Sequence, residues 1–300
     1  MSKQFKPTGI PYVWSAEAES ENPGPTVTIV GGTHGNEKAG IQVVSDLVLH
    51  HQKPLKKGKL FAAIGNPAAV KANQRFTEAD LNRSFGPQAG DSYEKSRAKA
   101  LKPILSVTDV LMDIHCTLNE SFPFIAFPGS LAEFKKHMEV VRKLGISTVI
   151  MGKGLWPKDG TPKYADTFVH ANGGYGITIE AGWICDPKTS EIIHGVHAAL
   201  HANGLGIFEG MYPHAPKEKA FELWTATENI VATPGFALKK NGQNYTWKNF
   251  EEIPAGTIYA TSNDMEYIAK ADCQIIFAKA PGNIIIGNEA CILVKKNQQQ

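Results

Sequence analysis

The chain has 300 residues, of which 42% are hydrophobic and 20% charged, and its formal net charge is +2. This composition is that of an ordinary globular protein and excludes the disordered, fibrous and collagen-like classes. The near-neutral charge, without a long run of lysine or arginine, argues against a nucleic-acid partner.

Strand and helix patterns alternate along the first two-thirds of the chain. The β-branched run T-V-T-I-V-G at Thr26 to Gly31 predicts a buried strand, and apolar residues at helical spacing predict a helix over Ala39 to His50. Further strands are predicted at Lys59–Gly65, Asp109–His115, Phe124–Phe127 and Gly176–Glu180, and further helices at Leu131–Leu144 and Lys188–Ala202. This alternation predicts an α/β domain around a largely parallel or mixed sheet flanked by helices.

The pattern changes after Tyr212 and Pro213. From Phe221 onward, short alternating stretches are separated by Pro-Gly, Asn-Gly and Ala-Gly turns, which is typical of a small β-domain. Prolines and the charged run Lys217-Glu218-Lys219 indicate a linker. We therefore predict one domain over residues 1–214 and a smaller C-terminal β-domain over residues 215–300.

The cysteines and the N-terminus predict a cytoplasmic protein. The four cysteines are widely spread and form no C-x-x-C pair, a usage that fits a reducing compartment. The segment Met1 to Pro7 lacks the apolar core of a signal peptide. No apolar run approaches the roughly 18–20 residues of a membrane span, so we expect no membrane partner.

The segment G-G-T-H-G-N-E at Gly31 to Glu37 carries the first candidate functional residues. It lies where a predicted strand ends and a helix begins, and ligands bind at this edge of α/β sheets. His34 and Glu37 are three residues apart, so one turn directs both side chains the same way, and His115 ends another strand. Two imidazoles, a carboxylate and an open position are typical of a catalytic zinc site. Taken singly, the residues also fit a surface helix pair, a helix cap and a strand-end histidine that meets water.

Two further polar groups fit a site that binds a carboxylated molecule. Arg75 and the D-L-N-R segment at Asp80 to Arg83 lie in a region unlike a core, and guanidinium groups bind carboxylates in a planar, bidentate way. Glu180 ends an apolar strand and should face a cleft, because a buried unpaired charge is costly. An ordinary exposed strand-end glutamate is the alternative.

These segments, in this order, resemble the succinylglutamate desuccinylase/aspartoacylase family, a branch of the zinc carboxypeptidase superfamily. The resemblance rests on G-G-T-H-G-N-E, Arg75, D-L-N-R, G-N-P-A-A at Gly65 to Ala69, D-I-H at Asp113 to His115 and I-T-I-E-A-G at Ile177 to Gly182. It spans the first domain, and the predicted β-domain resembles the family's C-terminal module. It implies a zinc-carboxypeptidase-like mixed sheet with a smaller C-terminal β-domain.

The resemblance implies a zinc ion and the residues around it. One zinc ion per chain would be bound by His34, Glu37 and His115. Asp80 would accept a hydrogen bond from the other ring nitrogen of His34, because the second nitrogen of a ligand imidazole usually needs an acceptor. Glu180 would be the general base that takes a proton from the attacking water and returns it to the leaving amine.

The resemblance also implies how the substrate is bound, with two departures from the family pattern. Arg75 would polarise the scissile carbonyl, and Asn82 and Arg83 would bind the substrate carboxylate. His170 stands where aspartoacylases carry an arginine, and Cys291 follows N-E-A where they have a tyrosine nearby. We take His170 as a weaker substrate-binding residue. We therefore expect an N-acyl amino acid with an uncharged side chain to be preferred over N-acetylaspartate or N-succinylglutamate.

The histidines of the last predicted helix lie outside this pattern. His197 and His201 have the i,i+4 spacing of metal ligands, while Ile192 and Val196 occupy another face of the helix. We interpret these histidines as a solvent-facing cluster rather than a second metal site.

The sequence thus favours a zinc-dependent amidohydrolase, or deacylase, that cleaves the amide bond of a small N-acyl amino acid or related carboxylated amide. Two alternatives stay open. One is a zinc carboxypeptidase that acts on short peptides, and the other is a non-catalytic zinc protein that binds a carboxylated ligand. The expected partner is a small molecule, and a homo-oligomer is compatible with the sequence.

Overall fold

The structure is a computed structural model that describes residues 4–19, 23–51, 53–87, 90–201 and 204–297. Its helices are α1 (Lys38–His50), α2 (Pro67–Ala72), α3 (Tyr93–Leu105), α4 (Leu131–Arg142), α5 (Ala165–Ala171) and α6 (Thr189–Leu200). Met1 to Lys3 and Ala202, the expected end of the last helix, lie outside the described residues. Within those residues, no helix combines the length and the apolar character that a membrane crossing requires.

Within the residues that the structure describes, sixteen strands form two sheets. The strands are β1 (Lys6–Pro7), β2 (Val13–Glu17), β3 (Thr26–Gly31), β4 (Lys59–Ile64), β5 (Val110–Thr117), β6 (Phe124–Phe127), β7 (Thr148–Met151), β8 (Tyr175–Trp183), β9 (Glu222–Val231), β10 (Ala237–Lys240), β11 (Gln243–Asn244), β12 (Glu251–Ile253), β13 (Ile258–Thr261), β14 (Glu266–Ile268), β15 (Cys273–Ile276) and β16 (Glu289–Lys296). The large sheet has the order β1-β2-β4-β3-β5-β8-β6-β7-β9-β16-β15-β12 and the small one β11-β10-β13-β14. Strands β4, β3, β5 and β8 are parallel and β6 is antiparallel to β8, which confirms the mixed sheet.

The centre of the large sheet is buried on both faces, as its continuous apolar strands predict. All residues of β5 are buried, and helix α1 packs Val43, Val44 and Leu47 against the neighbouring strands. The carboxyl ends of β3, β4, β5 and β8 therefore open at one edge of a rigid core. Loops that leave this edge can hold polar side chains close together without disturbing the packing.

Helix α3 holds the D-L-N-R loop in place through buried charges. The Glu94 carboxylate accepts hydrogen bonds from the backbone N–H of Thr77 at 2.7 Å and of Ala79 at 3.0 Å. The Arg97 guanidinium donates to the carbonyl of Gly65 at 2.8 Å, beyond the end of β4. Both side chains are buried, with exposed fractions of 0% and 6%. The sequence pattern did not predict α3, because buried charges occupy its first half and its buried apolar residues Ala98, Leu101 and Leu105 lie only in the second half.

The C-terminal part of the chain shares the large sheet. Strand β9 pairs with β7, and β16, β15 and β12 extend the sheet beyond it. Trp224 and Ile292 pack with Phe124 and Ile150 in a common apolar cluster. A second cluster around Trp247 consists of C-terminal residues alone. The division into residues 1–214 and 215–300 stays a prediction, and the sheet runs continuously across it.

The expectation of solvent-facing histidines on the last helix is wrong for two of them. His197 and His201 are only 6% and 3% exposed. His197 Nε2 lies 2.7 Å from Asp46 Oδ2 of helix α1, and His201 Nδ1 lies 2.7 Å from the His197 carbonyl. His51 stacks against His197, and burial lowers the pKa of the His51 imidazole to about 4. These histidines are therefore part of the α1–α6 packing.

Gly35 sets how closely the G-G-T-H-G-N-E turn approaches helix α2. A Cβ atom at Gly35 would lie 2.0 Å from the carbonyl carbon of Ala69, so no larger residue fits without a backbone shift. The Gly35 N–H donates to the Arg75 carbonyl at 3.2 Å. Gly32 has φ +68°, in the left-handed region that favours glycine. These two glycines hold the turn between β3 and α1.

We expect Gly35→Ala to lower the free energy of unfolding by ~1–3 kcal/mol, because the added methyl group collides with backbone rather than with a movable side chain. Gly9→Ala is the matched control, since a Cβ there meets nothing within 4 Å. Urea unfolding of the two variants and the parent measures the effect. Equal stabilities for the two variants would contradict this account of the turn.

Candidate functional site

Three buried side chains converge at the carboxyl edge of the large sheet. His34, Glu37 and His115 offer donor atoms that all lie within 4.8 Å of one another. His34 Nδ1 is 2.8 Å from Glu37 Oε1, and His115 Nδ1 is 3.1 Å from Glu37 Oε2. The two Nδ1 atoms are 3.2 Å apart. The Nδ1 atoms of both rings and the Glu37 carboxylate thus face one common position.

The second nitrogen of each ring lies against another carboxylate. His34 Nε2 is 3.0 Å from Asp80 Oδ1, and His115 Nε2 is 3.0 Å from Asp113 Oδ2. Thr33 donates its hydroxyl to Asp113 Oδ1 at 2.9 Å and holds that carboxylate in turn. Imidazoles that bind a metal are usually oriented in this way. The donor set of two imidazoles and one carboxylate therefore fits a divalent metal ion.

The register of the parallel strands explains why these residues meet. His115 on β5 lies directly opposite Glu180 on β8. Asp113 and His115 are two residues apart on one strand and therefore share a face. The turn that carries His34 leaves β3, the other neighbour of β5. Each predicted strand end thus delivers its polar side chain to the same edge.

Glu37 begins helix α1 but directs its carboxylate into the site. It occupies the N-cap position and makes no capping hydrogen bond with its side chain. Instead it accepts hydrogen bonds from Arg75 Nη1 at 3.1 Å and from the Cys116 backbone N–H at 3.0 Å. Burial alone would raise the pKa of Glu37, but the adjacent His34 and His115 hold it well below its usual value. Glu37 is therefore a carboxylate in the folded protein.

Arg75 connects the carboxylates on two sides of the site. Its Nη1 donates to Glu37 Oε1 at 3.1 Å and its Nη2 to Asp80 Oδ2 at 3.4 Å. Asp80 also accepts the backbone N–H of Asn82 at 2.9 Å, which sets the short helical turn Leu81–Arg83. The arginine side chain keeps an exposed fraction of 26%, so it stays reachable from the cavity.

A cavity of about 100 Å³ opens onto these groups. Of the residues predicted from the sequence, those that line it are His34, Glu37, Arg75, Asn82, Arg83, His115 and Glu180. Asp80 lies behind His34. The structure therefore brings together every predicted metal ligand and the predicted base with Arg75, Asn82 and Arg83.

Glu180 faces the cavity beside the donor cluster. It is 5% exposed, and its Oε2 has no hydrogen-bond partner among the described residues. Burial raises the pKa of the Glu180 carboxyl to about 8, with His115 opposing the shift and Glu37 adding to it. A carboxyl group with a pKa near neutrality can both accept and return a proton.

The structure does not bring His170 to the cavity. Its Nε2 lies 3.5 Å from Glu133 Oε1, and its ring packs edge-on against Phe127 and Trp156. His170 belongs to helix α5, and this contact directs it toward helix α4. The His170 side chain therefore does not line the cavity, where it was expected to bind a substrate anion weakly.

Several cavity residues were not predicted from the sequence. Arg83 Nη2 lies 3.6 Å from Glu289 Oε1 of strand β16, and its guanidinium carbon lies 4.3 Å from the centre of the Tyr164 ring. Lys279 reaches the same cavity from the segment between β15 and β16. Asp166 also lines the cavity, and burial raises the pKa of its carboxyl to about 6. Only the tertiary fold reveals these neighbours.

Two residues next to the predicted ligand His115, Asp113 and Cys116, also lie at the site. Asp113 could have been found, because it alternates with His115 along an otherwise apolar strand. Burial raises the pKa of the Cys116 thiol to about 12, so this cysteine is protonated and acts as a small apolar wall.

Comparisons with known proteins agree with this geometry. Residues 23–199 match the family described as the succinylglutamate desuccinylase/aspartoacylase catalytic domain. A succinylglutamate desuccinylase from Serratia proteamaculans is 37% identical over 86 residues, which are 27% of this chain and 26% of that protein. An N-acyl-aromatic-L-amino acid amidohydrolase (carboxylate-forming) from Homo sapiens is 28% identical over 162 residues, 49% of this chain and 50% of that protein. These matches therefore cover at most half the length of the two relatives.

The fold has a close counterpart among solved structures. The crystal structure of a succinylglutamate desuccinylase from Vibrio cholerae matches with a TM-score of 0.79 at 17% identity. The match covers 98% of this chain and 90% of that one, so both the large sheet and the C-terminal strands are shared.

We expect His34→Ala and His115→Ala to lose the bound metal, because each removes a nitrogen from the three-residue donor set. His50→Ala is the control, since that histidine is exposed at the end of α1. Elemental analysis of the purified proteins gives metal per chain. Full retention in both donor variants would show that the ion binds elsewhere.

Proposed function

Because the chain belongs to the succinylglutamate desuccinylase/aspartoacylase family, we propose that it is a zinc-dependent amidohydrolase that cleaves the amide bond of a small N-acyl amino acid. The observation that carries this proposal is the buried donor set of His34, Glu37 and His115 with Glu180 beside it. In this proposal, residues 1–214 form the hydrolase domain, and residues 215–300 form a β-domain that closes the cavity.

The metal part of the proposal rests on the chemistry of the donors. Two imidazoles and one carboxylate leave one position of a tetrahedral ion open, which is the usual form of a catalytic zinc site. When bound, zinc would lower the pKa of a water molecule toward ~7 and polarise a carbonyl group. Asp80 and Asp113 would hold the two ligand rings in orientation.

In the proposed reaction, Glu180 moves the proton. Its carboxylate accepts a proton from the water that attacks the amide carbon, and its carboxyl group then donates that proton to the leaving amine nitrogen. The unpaired Oε2 atom in the cavity and the pKa of about 8, raised by burial, both fit a group that changes protonation state during turnover. This exchange is also why we favour an enzyme over a protein that only binds a carboxylated ligand.

Arg75, Asn82 and Arg83 would orient the substrate. The Arg75 guanidinium, already fixed by two carboxylates, would donate to the carbonyl oxygen as negative charge develops there. Arg83 would bind the substrate carboxylate, with Asn82 beside it. Asn82 is itself fixed, because its Oδ1 accepts the backbone N–H of Ala165 at 3.1 Å. Preset donors of this kind need little rearrangement during the reaction.

The size of the cavity favours a small substrate over a peptide. Its volume is about 100 Å³, and its walls come from both the central strands and the C-terminal segments around Lys279 and Glu289. A carboxypeptidase would need an extended groove for the rest of its peptide. We therefore propose an N-acyl amino acid as the substrate class.

A panel of N-acyl amino acids, short peptides and acyl amides without a carboxylate tests the proposal. Release of free amine is measured with zinc-loaded protein and with protein stripped by a chelator. We expect turnover of N-acyl amino acids by the zinc-loaded protein only. Cleavage of peptides in preference to N-acyl amino acids, or no cleavage of either, would reject the proposed function.

We predict that Glu180→Gln keeps the fold and the metal but lowers kcat by ~10²–10⁴-fold, because the amide is the same size and cannot accept the proton. Glu209→Gln, an exposed carboxylate far along the chain, is the control. Turnover within about threefold of the parent would exclude Glu180 as the base.

A further inference from the structure

Three buried histidines form a cluster between helices α1 and α6. His51 directly follows α1, His197 lies on the last turn of α6, and His201 directly follows that helix. Their exposed fractions are 7%, 6% and 3%. The centre of the His51 ring lies 5.6 Å from that of His197 and 6.1 Å from that of His201. Because an imidazole ordinarily titrates close to physiological pH, such a cluster can respond to acidity.

The segment that leads from α6 toward the C-terminal strands packs on this histidine cluster. We call residues 207–214 the connecting segment. The centre of its Phe208 ring lies 3.7 Å from that of the His51 ring. Its Tyr212 ring stacks on the His197 ring, with 5.1 Å between the ring centres. The packing of the connecting segment therefore depends directly on the histidine rings.

Two charged groups act on the cluster from α1 and from the loop that follows it. Asp46 Oδ2 lies 2.7 Å from His197 Nε2. Lys53 acts on both His51 and His201 and disfavours a positive charge on either ring. Within the described residues, His51 Nε2 and His197 Nδ1 have no hydrogen-bond partner. A proton added to His51 Nε2 would therefore be buried without an acceptor, beside other groups that carry or can carry positive charge.

The outer side of the connecting segment faces further titratable groups. The Tyr212 hydroxyl lies 2.9 Å from His194 Nδ1, and the centre of the His214 ring lies 5.9 Å from that of the Tyr212 ring. The Asp46 carboxylate also acts on Tyr212. Histidines thus pack on this segment from both its buried and its exposed side.

Burial keeps the rings of the cluster neutral in the folded protein. It lowers the pKa of the His51 imidazole to about 4, with His197 and His201 adding to the shift, and it also lowers the pKa of His201. A histidine in water titrates near pH ~6.5. The packing of the connecting segment is therefore fully stabilised above that pH, and this stabilisation is lost progressively as the pH falls from ~6.5 toward 4.

We propose that the histidine cluster is a pH-sensitive contact, which holds the connecting segment in place at neutral pH and releases it in acid. Release exposes His51 as Phe208 moves away, and the exposed ring takes up a proton from water. The connecting segment precedes β9, the strand that joins the C-terminal strands to β7. Acid would therefore loosen the connection between the two parts of the chain, at a place outside the residues that line the catalytic cavity.

His51→Phe tests this role, because phenylalanine keeps a ring against Phe208 but cannot bind a proton. Hydrogen–deuterium exchange of peptides that cover residues 205–214 is measured for the full-length parent and variant side by side at pH 8 and at pH 5. The ratio of parent to variant exchange rates should rise by ~10–30-fold between pH 8 and pH 5, as a shift of the His51 pKa from 6.5 to about 4 requires. His50→Phe, which changes the exposed neighbouring histidine, is the matched control and should follow the parent.

A ratio that stays the same at both pH values would overturn the proposal, since a ring with a purely structural role changes the packing equally at every pH. Strand β3 supplies an internal reference. Its amides should stay protected at pH 5, and their exposure together with the connecting segment would show global unfolding and reject a local release.

A second measurement on the parent alone does not depend on the folding of a variant. Titration of the histidine ring signals by NMR gives the pKa of His51 in the full chain. A pKa well below 6 supports the proposal, and a pKa near ~6.5 contradicts it. Neither measurement uses a substrate, so the result stands apart from the outcome for the proposed function.

Discussion

The buried negative charge of Glu37 is the constraint around which the site is arranged. This carboxylate is 1% exposed, and a charge so far from water is tolerated only when it is paired and hydrogen-bonded. Its partners come from different elements of the sheet edge: His34 from the same turn, His115 and the Cys116 N–H from β5, and Arg75 from the loop after α2. Each of these elements must be in place before the charge is stabilised.

Further carboxylates around Glu37 fix the positions of its neighbours. Asp80 and Asp113 hold the imidazole rings, and Glu94 holds the loop that carries Asp80 through backbone hydrogen bonds. The C-terminal strands add Glu289, which lies beside Arg83. Because these strands continue the large sheet, strand pairing fixes the backbone of this cavity wall. Rigid placement of donors is what allows a small site to distinguish one carboxylated molecule from another.

The sequence predicted the parts of this protein that depend on local pattern. The strand Thr26–Gly31 was predicted with its exact bounds, and the residues of the donor set were predicted because motifs at strand ends meet at one sheet edge. Helix α3 was not predicted: its first half buries the charged Glu94 and Arg97, and its buried apolar residues Ala98, Leu101, Ile104 and Leu105 lie only in the second half. Lys279 could not be found, and the N-E-A segment indicated no contact between its Glu289 and Arg83, because only the pairing of β9 with β7 brings the C-terminal segments to the site.

Metal-dependent hydrolysis at this edge of the sheet is the central claim, and a reconstitution titration tests it most directly. Protein stripped by a chelator receives zinc in steps, and amine release from an N-acyl amino acid is measured at each step. The account predicts no turnover without zinc, followed by a linear rise that ends at one equivalent per chain. Full turnover by the stripped protein, with no response to added zinc, would contradict it.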